Sequence, residues 1–268
     1  MVVEKIKAYK NYVKIEIADN DYQTTFKIGL DDYLSLNYKI GQSIDKNELD
    51  KLEKMHLLAY SYSKCLRRLE SSDRSEKEIR DLLYLIRELN ADDKDRIIEK
   101  LKVSGFLSDA AVVESQFYVD SIKQIGKNKT IQTLKRRGIN SNLINEYSKK
   151  VDSVQQFEMA VSKAERILST IKDKSFRETV NILKERLIRD GFENVNEVVS
   201  ALDLKKDEQS EYESLKAAYK KALRRYKNKY SDKKLYYTIY RFLLTKGFDS
   251  NLVKEILSLE SEELDYED

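Results

Sequence analysis

The sequence predicts a mainly α-helical protein of tandem three-helix repeats, stacked in an elongated curved array, with a small N-terminal antiparallel β-hairpin or sheet. Two observations predict this fold class. The chain of 268 residues contains no proline, which favours long helices because proline removes a backbone donor and clashes with the preceding turn. Four of its seven glycines follow a leucine by four residues and precede a large apolar residue, as glycines that end helices do.

These four glycine stops recur along the chain. At such a stop, glycine takes a left-handed conformation that a Cβ would penalise, and the leucine and the following apolar residue pack on the core. Recurrence predicts repeated helical units that are completed by stacking on their neighbours. The stops lie in Leu101–Phe106, Leu134–Ile139, Leu187–Phe192 and Leu243–Phe248.

The first 28 residues follow a different pattern. Apolar residues alternate with charged or polar ones over residues 13–17 and again over 22–28, and Ala18-Asp19-Asn20-Asp21 supplies turn residues between them. This alternation predicts a β-hairpin, with Val2 to Ala8 as a third strand. A short helix over residues 31–36 and a turn at Gly41 are expected to follow.

From Asp45 onward the apolar spacing is helical. The pairs Asp45–Glu48 and Ser75–Glu78 predict N-terminal caps for the first two helices of repeat 1. Asn90 is expected to end the second of these helices in a left-handed conformation, because asparagine is the residue next best to glycine there. The first glycine stop ends the third helix.

In the three later repeats the glycine stop is expected to end the middle helix. A Ser175–Glu178 capping box predicts the start of the middle helix in repeat 3. The predicted organisation is an N-terminal β extension with a short helix at 1–44, repeats at 45–107, 108–152, 153–206 and 207–259, and an acidic tail at 260–268.

The composition excludes most catalytic chemistry. The chain has one cysteine and one histidine; Cys65 has the spacing of a core residue, and His56 has no partner for metal binding. No phosphate loop, nucleophile elbow or metal-spaced cluster is present. We therefore expect a non-enzymatic protein without cofactors. Without an apolar membrane span or a signal-peptide pattern, it is expected to be cytoplasmic.

The net charge of +3 conceals local asymmetry. Residues 216–246 hold eleven lysines or arginines and one acid, Asp232, whereas residues 121–145 hold six basic residues and no acid. The last ten residues hold six acids and no base. A solvated helical face normally mixes the two signs, so the unmixed positive runs favour a polyanionic partner.

Tyrosines are interleaved with the C-terminal basic run. Tyr212, Tyr219 and Tyr226 form a heptad stripe, which favours core packing over base stacking. Tyr236, Tyr237 and Tyr240 cannot all face inward on one helix, and Tyr237 is the candidate for exposure.

Three segments resemble the RecX family, the bacterial regulators of the RecA recombinase. They are the start of repeat 1 at residues 59–79, Gly105-Phe106-Leu107-Ser108-Asp109, and KTIQTLKRRGI at residues 129–139. Ser108 replaces an aspartate of the family signature, and Asn90 replaces an expected glycine; both departures are conservative for capping. The N-terminal hairpin and the later repeats are similar to longer forms of the family from Gram-positive bacteria.

The resemblance implies a helical array that lies in the groove of the RecA–DNA filament, bridges protomers and limits strand exchange and nucleotide hydrolysis. The implied partners are the RecA filament and single-stranded DNA, with duplex DNA as a further candidate, no membrane, and a monomeric chain. The residues expected to bind nucleic acid or filament are Arg67, Arg68, Arg74, Lys127, Lys129, Lys135, Arg136, Arg137, Lys220, Lys221, Arg224, Arg225, Lys227, Lys233, Lys234, Tyr237 and Arg241.

Two other classes of function fit the same sequence. A sequence-specific duplex DNA-binding protein also uses three-helix units with basic helices. A helical-repeat scaffold for an acidic protein has similar charge runs and binds no nucleic acid. Selectivity for one duplex sequence distinguishes the first, and indifference to DNA distinguishes the second.

Overall fold

The structure, a computed structural model, describes residues 1–19 and 22–265, with residues 260–265 described by their backbone alone. This part of the chain contains three β-strands and thirteen α-helices, so the predicted mainly helical fold with a small N-terminal antiparallel sheet is confirmed. The chain divides into two compact units. Unit 1 comprises Met1–Gln116 and Leu134–Asn145, and unit 2 comprises Phe117–Thr133 and the chain from Glu146 onward.

Unit 1 begins with a three-stranded antiparallel sheet in the order β1-β2-β3. One face of the sheet is apolar, and Val13, Ile15 and Ile17 on its central strand are fully buried. A histidine ties this sheet to the helix beside it, because His56 Nδ1 lies 2.9 Å from the Lys27 backbone nitrogen, which donates to it. Part of the predicted hairpin turn, Asn20–Asp21, lies outside the described residues. The strands are β1 (Val2–Ala8), β2 (Tyr12–Asp19) and β3 (Tyr22–Gly29).

The remaining elements of unit 1 are helical. Cys65 is fully buried in its core, as its spacing predicted, and burial raises the pKa of the Cys65 thiol to about 11. The whole helices of unit 1 are α1 (Leu30–Leu36), α2 (Lys46–Ser71), α3 (Glu76–Tyr84) and α4 (Ala91–Val103). Unit 1 also holds the first part of α5 (Asp109–Ile122), the end of α6 (Lys127–Arg136) and the first part of α7 (Ser141–Ser148).

The caps in unit 1 follow the sequence with one exception. Asp45–Glu48 and Ser75–Glu78 form reciprocal capping boxes at the starts of α2 and α3. The prediction for Asn90 was wrong. Asn90 is the N-cap of α4 with φ of −77°, and its side chain accepts the Asp93 N–H; α3 has already ended at Tyr84 without a glycine.

Unit 2 contains the other helices. Ser175 caps α9 by accepting the Glu178 N–H, but the predicted capping box is only half formed. Helix α13 continues through Asp265, so the segment predicted as an acidic tail begins as helix, and residues 266–268 lie outside the described part. The helices are α8 (Ser153–Thr170), α9 (Phe176–Arg189), α10 (Val195–Ala201), α11 (Glu208–Tyr226), α12 (Asp232–Thr245) and α13 (Ser250–Asp265).

The four glycine stops are left-handed, as predicted. Gly105, Gly138, Gly191 and Gly247 have φ values of 72°, 78°, 88° and 85°. Gly105 follows α4, and the other three follow α6, α9 and α12, the middle helices of the predicted repeats 2 to 4. The predicted repeat 2, residues 108–152, contributes to both units, and the division into four repeats stays a prediction.

In unit 1 the glycine stop after α6 lies against the start of α3. Ser75 Oγ accepts the Glu78 N–H at 3.2 Å and donates to the Arg137 carbonyl oxygen at 2.6 Å. The Arg137 guanidinium donates to Glu78 Oε2 at 2.9 Å and to the Asp73 carbonyl oxygen at 2.7 Å. The capping side chain at the start of one helix thus donates a hydrogen bond to a carbonyl group at the end of another, and the Arg137–Glu78 ion pair strengthens this contact.

Unit 2 contains two further joints of this kind. Ser175 Oγ donates to the Lys246 carbonyl oxygen at 2.6 Å, so the end of α12 lies at the start of α9. The end of α9 lies in turn at the start of α6, where the Gly126 N–H donates to the Asp190 carbonyl oxygen at 2.7 Å and the Asn128 N–H to the Gly191 carbonyl oxygen at 3.1 Å. We call these three contacts the helix-end joints.

The charges at the joints are complementary, with one exchange of sign. At the starts of α3 and α9 the third helical residue is an acid, and the residue before the facing glycine is basic: Lys246 Nζ lies 3.0 Å from Glu178 Oε1. At the start of α6 the signs are reversed, because Lys129 is the third residue and its Nζ lies 3.0 Å from Asp190 Oδ1. Each joint therefore uses one charge from each side.

These ion pairs change the acidity of the carboxyl groups. Burial raises the pKa of Glu178, but hydrogen bonds from Lys246 and Lys174 outweigh it, so its pKa lies below the ordinary value. The same balance of burial against hydrogen bonds from Lys129 and Lys163 lowers the pKa of Asp190. Both groups are therefore charged at neutral pH and stabilise the folded state there.

A comparison of two glycine substitutions tests the joints. In Gly126→Ala the new Cβ clashes with the Gly191 carbonyl group, and the φ of residue 126 is not positive. In Gly105→Ala the new Cβ lies in open space, and the only cost is the backbone strain of a φ of 72°. We expect Gly126→Ala to lower the free energy of unfolding by about 3 kcal/mol and Gly105→Ala by about 1 kcal/mol. Urea unfolding followed by circular dichroism measures both, and hydrogen exchange should localise the first loss to α6 and α9. A larger loss for Gly105→Ala would contradict this account.

Candidate nucleic-acid interface

Helices α11 and α12 form an exposed basic surface in unit 2. Leu215, Tyr219 and Ala222 of α11 are buried together with Ile239 and Leu243 of α12 in one apolar cluster. Burial of these faces turns the basic residues of both helices toward solvent. We define the basic surface by eight of the exposed cations in this region, Lys220, Lys221, Arg224, Arg225, Lys227, Lys233, Lys234 and Arg241.

No ion pair involves these eight cations within the described residues. Instead, Arg225 lies over the Tyr226 ring at 5.4 Å and Lys234 over the Tyr230 ring at 5.0 Å. The cations on α11 follow one another at three- and four-residue spacing, where like charges repel and destabilise a helix. Neighbouring acids do not relieve this repulsion, so the surface is suited to an anionic partner.

A cavity of about 250 Å³ borders the basic surface. Its lining includes four lysines and two carboxylates, Lys172, Lys174, Lys221, Lys246, Asp173 and Glu178. Lys174 and Lys246 are paired with Glu178 at 3.2 and 3.0 Å. With four lysines and two carboxylates, the lining keeps a positive excess that attracts an anionic group.

Aromatic side chains lie beside the cations on α12. Tyr237 is 61% exposed, and its ring meets that of Tyr236 edge-on at 5.7 Å. In contrast, Tyr219 is buried and Tyr212 and Tyr226 pack against the core of unit 2, in agreement with the stripe that the sequence indicates. Tyr237 is thus the tyrosine of α12 best exposed for stacking on a base.

The predicted site residues of the second repeat are mostly engaged inside the fold. Lys127 Nζ lies 3.2 Å from Glu193 Oε2, Lys129 pairs with Asp190, and Arg137 with Glu78. Lys135 and Arg136 are exposed at the end of α6. An unmixed run of charge in the sequence therefore need not be unpaired in space.

The three predicted residues of the first repeat lie near the end of α2. Arg67 and Arg68 are exposed, whereas Arg74 is half-buried with Nη1 3.7 Å from Glu78 Oε1. The role of these residues and of the second-repeat residues in binding stays a prediction.

Two acids that cap helix starts from a distant part of the chain were not predicted from the sequence. Asp109 Oδ1 accepts the Glu76 N–H at 2.8 Å at the start of α3. Glu211, which is 6% exposed, accepts the Phe176 N–H at 2.7 Å at the start of α9. The two acids lie 33 and 35 residues after the N–H groups that they accept, so only the fold brings donor and acceptor together.

The described residues contain no group of acids, cysteines or histidine arranged to hold a metal ion. Among the same residues, no helix combines the length and the apolar character needed to cross a membrane.

The chain is similar to a group of known regulatory proteins. A family model described as "RecX, third three-helix domain" matches residues 209–257. "Regulatory protein RecX" of Bacillus licheniformis is 26% identical over 263 residues, 95% of this chain and 97% of that protein. The protein of the same name from Oceanobacillus iheyensis is 24% identical over 94% of each chain. Over nearly its whole length the chain is thus similar to regulatory proteins RecX.

Solved structures show the same fold. A crystal structure of a regulatory protein RecX is 20% identical, with a TM-score of 0.61, and covers 75% of this chain and 98% of that one. RecX from Lactobacillus salivarius is 24% identical, with a TM-score of 0.50, and covers 56% of this chain and 98% of that one. The segment that matches the third RecX domain contains nearly all of α11 and all of α12, and so it contains the basic surface.

A stability measurement tests whether the cations of the basic surface repel one another. In Lys220→Glu/Lys221→Glu, two like-charge pairs at four-residue spacing, with Arg224 and Arg225, become attractive pairs. We expect the free energy of unfolding to rise by about 1 kcal/mol at low salt, and the gain to shrink at 1 M salt. Thermal unfolding at both salt concentrations measures this. A loss of stability at low salt would show that the cations have stabilising partners.

Proposed function

We propose that this chain regulates the RecA recombinase by binding the RecA–DNA filament through the basic surface of α11 and α12. Binding limits DNA-dependent ATP hydrolysis and strand exchange. The observation that carries the proposal is that the segment matching the third RecX domain contains the basic surface, whose eight exposed cations have no acidic partner among the described residues. The similar proteins are named regulatory proteins, and the basic surface of this chain carries charge of one sign. Both observations support a complex of protein and nucleic acid as the target.

The physical basis of binding is neutralisation of phosphates. Each phosphate contact releases condensed counterions, so affinity falls steeply with salt. If about six of the eight cations contact phosphates, affinity should fall on the order of 10² to 10³-fold between 50 and 200 mM salt. Tyr237 adds stacking on an unpaired base, which favours single-stranded over duplex DNA.

Inhibition in this proposal comes from occupancy rather than from chemistry. The chain acts as a monomer in the cytoplasm, where it contacts several protomers at once and restrains each of them. Lys135, Arg136, Arg67 and Arg68 are proposed as further contacts. Because Lys127, Lys129 and Arg137 form ion pairs within their own units, we propose that they stabilise the fold and that the α11–α12 surface supplies most of the binding energy.

Charge reversal tests the surface better than truncation does. Removing the chain from Glu208 onward would also remove Glu211 and Lys246, which cap and pair with the start of α9. Such a truncation would damage the fold of unit 2, and a loss of binding would then say nothing about charge.

The test is RecA ATP hydrolysis on single-stranded DNA at low salt, titrated with the full chain and with two variants. The surface variant carries Glu at Lys220, Lys221, Lys233 and Lys234. The matched control carries Glu at Lys149, Lys205, Lys206 and Lys254, which are exposed in unit 2 on segments of mixed charge. We expect the chain and the control to inhibit well below one copy per RecA, and the surface variant to require at least a tenfold higher concentration.

Two outcomes would contradict the proposal. No inhibition by the full chain at one copy per RecA would remove RecA as the target. In that case, nanomolar preference for one duplex sequence would favour a sequence-specific DNA-binding protein, and indifference to DNA would favour a protein scaffold. Equal loss of inhibition in the surface variant and the control would show that the basic surface has no special role.

A further inference from the structure

The outer face of the N-terminal sheet carries a second concentration of basic and aromatic side chains. This face lies opposite the apolar face that packs on the core of unit 1. Residue pairing places Lys7 of β1 opposite Lys14 of β2, and Lys14 opposite Lys27 of β3. Three lysines therefore stand in one row across all three strands, which are spaced about 4.8 Å apart.

Such a row is unfavourable in the free protein. Like charges directly opposite each other on neighbouring strands destabilise a sheet. One acid relieves the row, because Lys14 Nζ lies 2.7 Å from Glu16 Oε1. Lys7 and Lys27 have no ion pair within the described residues, and Lys5 lies opposite Glu16 on the next row. The face keeps a positive excess at its centre.

Two stacked tyrosines extend this row at one end of the sheet. The rings of Tyr9 and Tyr12 lie 4.6 Å apart and 14° from parallel, beside a turn closed by the hydrogen bond from the Tyr9 N–H to the Tyr12 carbonyl oxygen at 2.8 Å. Lys7 Nζ lies 5.2 Å from the centre of the Tyr9 ring, and Lys27 Nζ lies 5.7 Å from that of Tyr12. Tyr9 is 38% exposed, so part of its ring is open to solvent.

We propose that this outer sheet face binds single-stranded nucleic acid, with Tyr9 stacking on a base while Lys7, Lys14 and Lys27 contact phosphates. A flat sheet with ring faces and ammonium groups matches a strand that offers unstacked bases and a charged backbone. An acidic protein would use the lysines and leave the ring faces without a matching group. A duplex presents its phosphates but keeps its bases stacked on one another.

The proposal adds a binding site in unit 1 to the basic surface in unit 2. The test of this sheet site involves no RecA. If the sheet site does not bind DNA, the proposed regulation of RecA is unaffected, and if RecA is not regulated, the sheet site is unaffected.

The experiment is fluorescence anisotropy of a labelled oligothymidine at several salt concentrations. The parent is the full chain with Glu at Lys220, Lys221, Lys233 and Lys234, so that the basic surface of α11 and α12 no longer contributes, and four variants are made in this parent. Lys7→Glu/Lys27→Glu should weaken binding at low salt at least tenfold and reduce the slope of log affinity against log salt by about 1.4, for two phosphates on a single strand. Lys39→Glu/Lys51→Glu reverses two exposed lysines of unit 1 away from the sheet strands. This control should bind within twofold of the parent chain.

The third variant, Tyr9→Leu, separates stacking from charge. Loss of one stacked base should weaken binding to oligothymidine about tenfold, within the range of about 1–3 kcal/mol for such a contact, without changing the salt slope. Binding to an abasic strand of the same length should not change, because that strand has phosphates but no bases. Tyr9→Phe keeps the ring and should restore binding, and circular dichroism should show an intact fold for every variant.

The outcomes that would overturn the proposal are distinct. Binding of Lys7→Glu/Lys27→Glu to oligothymidine within twofold of the parent would exclude the face as a DNA site. An equal loss on oligothymidine and on the abasic strand in Tyr9→Leu would reduce Tyr9 to a structural residue. Polyglutamate bound as tightly as oligothymidine, with the same dependence on Lys7 and Lys27, would assign the face to an acidic protein.

Discussion

The contact of one helix end with another is the interaction on which this structure depends. The start of a helix leaves N–H groups without partners, and the end of a helix leaves carbonyl groups without partners. At each helix-end joint a left-handed glycine lets the end of one helix come close enough for its carbonyl groups to accept hydrogen bonds at the start of the other. At the joint between α9 and α6, Gly126 and Gly191 are in backbone contact. Because the macrodipoles of the two helices meet with opposite sign, the contact is favourable even before its ion pair forms.

The joints also explain why positive charge accumulates on α11 and α12. In unit 2, Glu178, Asp190 and Glu211 point inward, where they cap helix starts or pair with lysines at the joints. These acids are unable to neutralise the basic surface. Although the net charge of the chain is only +3, the surface of α11 and α12 is strongly positive. The contacts that hold the helices together therefore also leave exposed the cations that we propose bind the filament.

Much of the fold follows from local chemistry, and much of the site does not. The glycine stops and the Asp45 and Ser75 caps depend on residues a few positions apart, so their patterns predict them. Asn90 was misassigned because asparagine suits both a left-handed helix end and an N-cap, and local sequence does not separate the two roles. Arg137 and Lys129 meet acids about sixty residues away, which is why a charge run in sequence overestimates the free cations in space.

The most direct test of the account is lysine acetylation of the free chain and of the chain bound to RecA on single-stranded DNA, read residue by residue by mass spectrometry. We expect Lys220, Lys221, Lys233 and Lys234 to react readily in the free chain and to be protected in the complex. Lys205 and Lys254, exposed outside the basic surface, should react equally in both states. Unchanged reactivity of the α11 and α12 lysines on a filament that demonstrably binds the chain would contradict the central claim that their unpaired charge forms the interface.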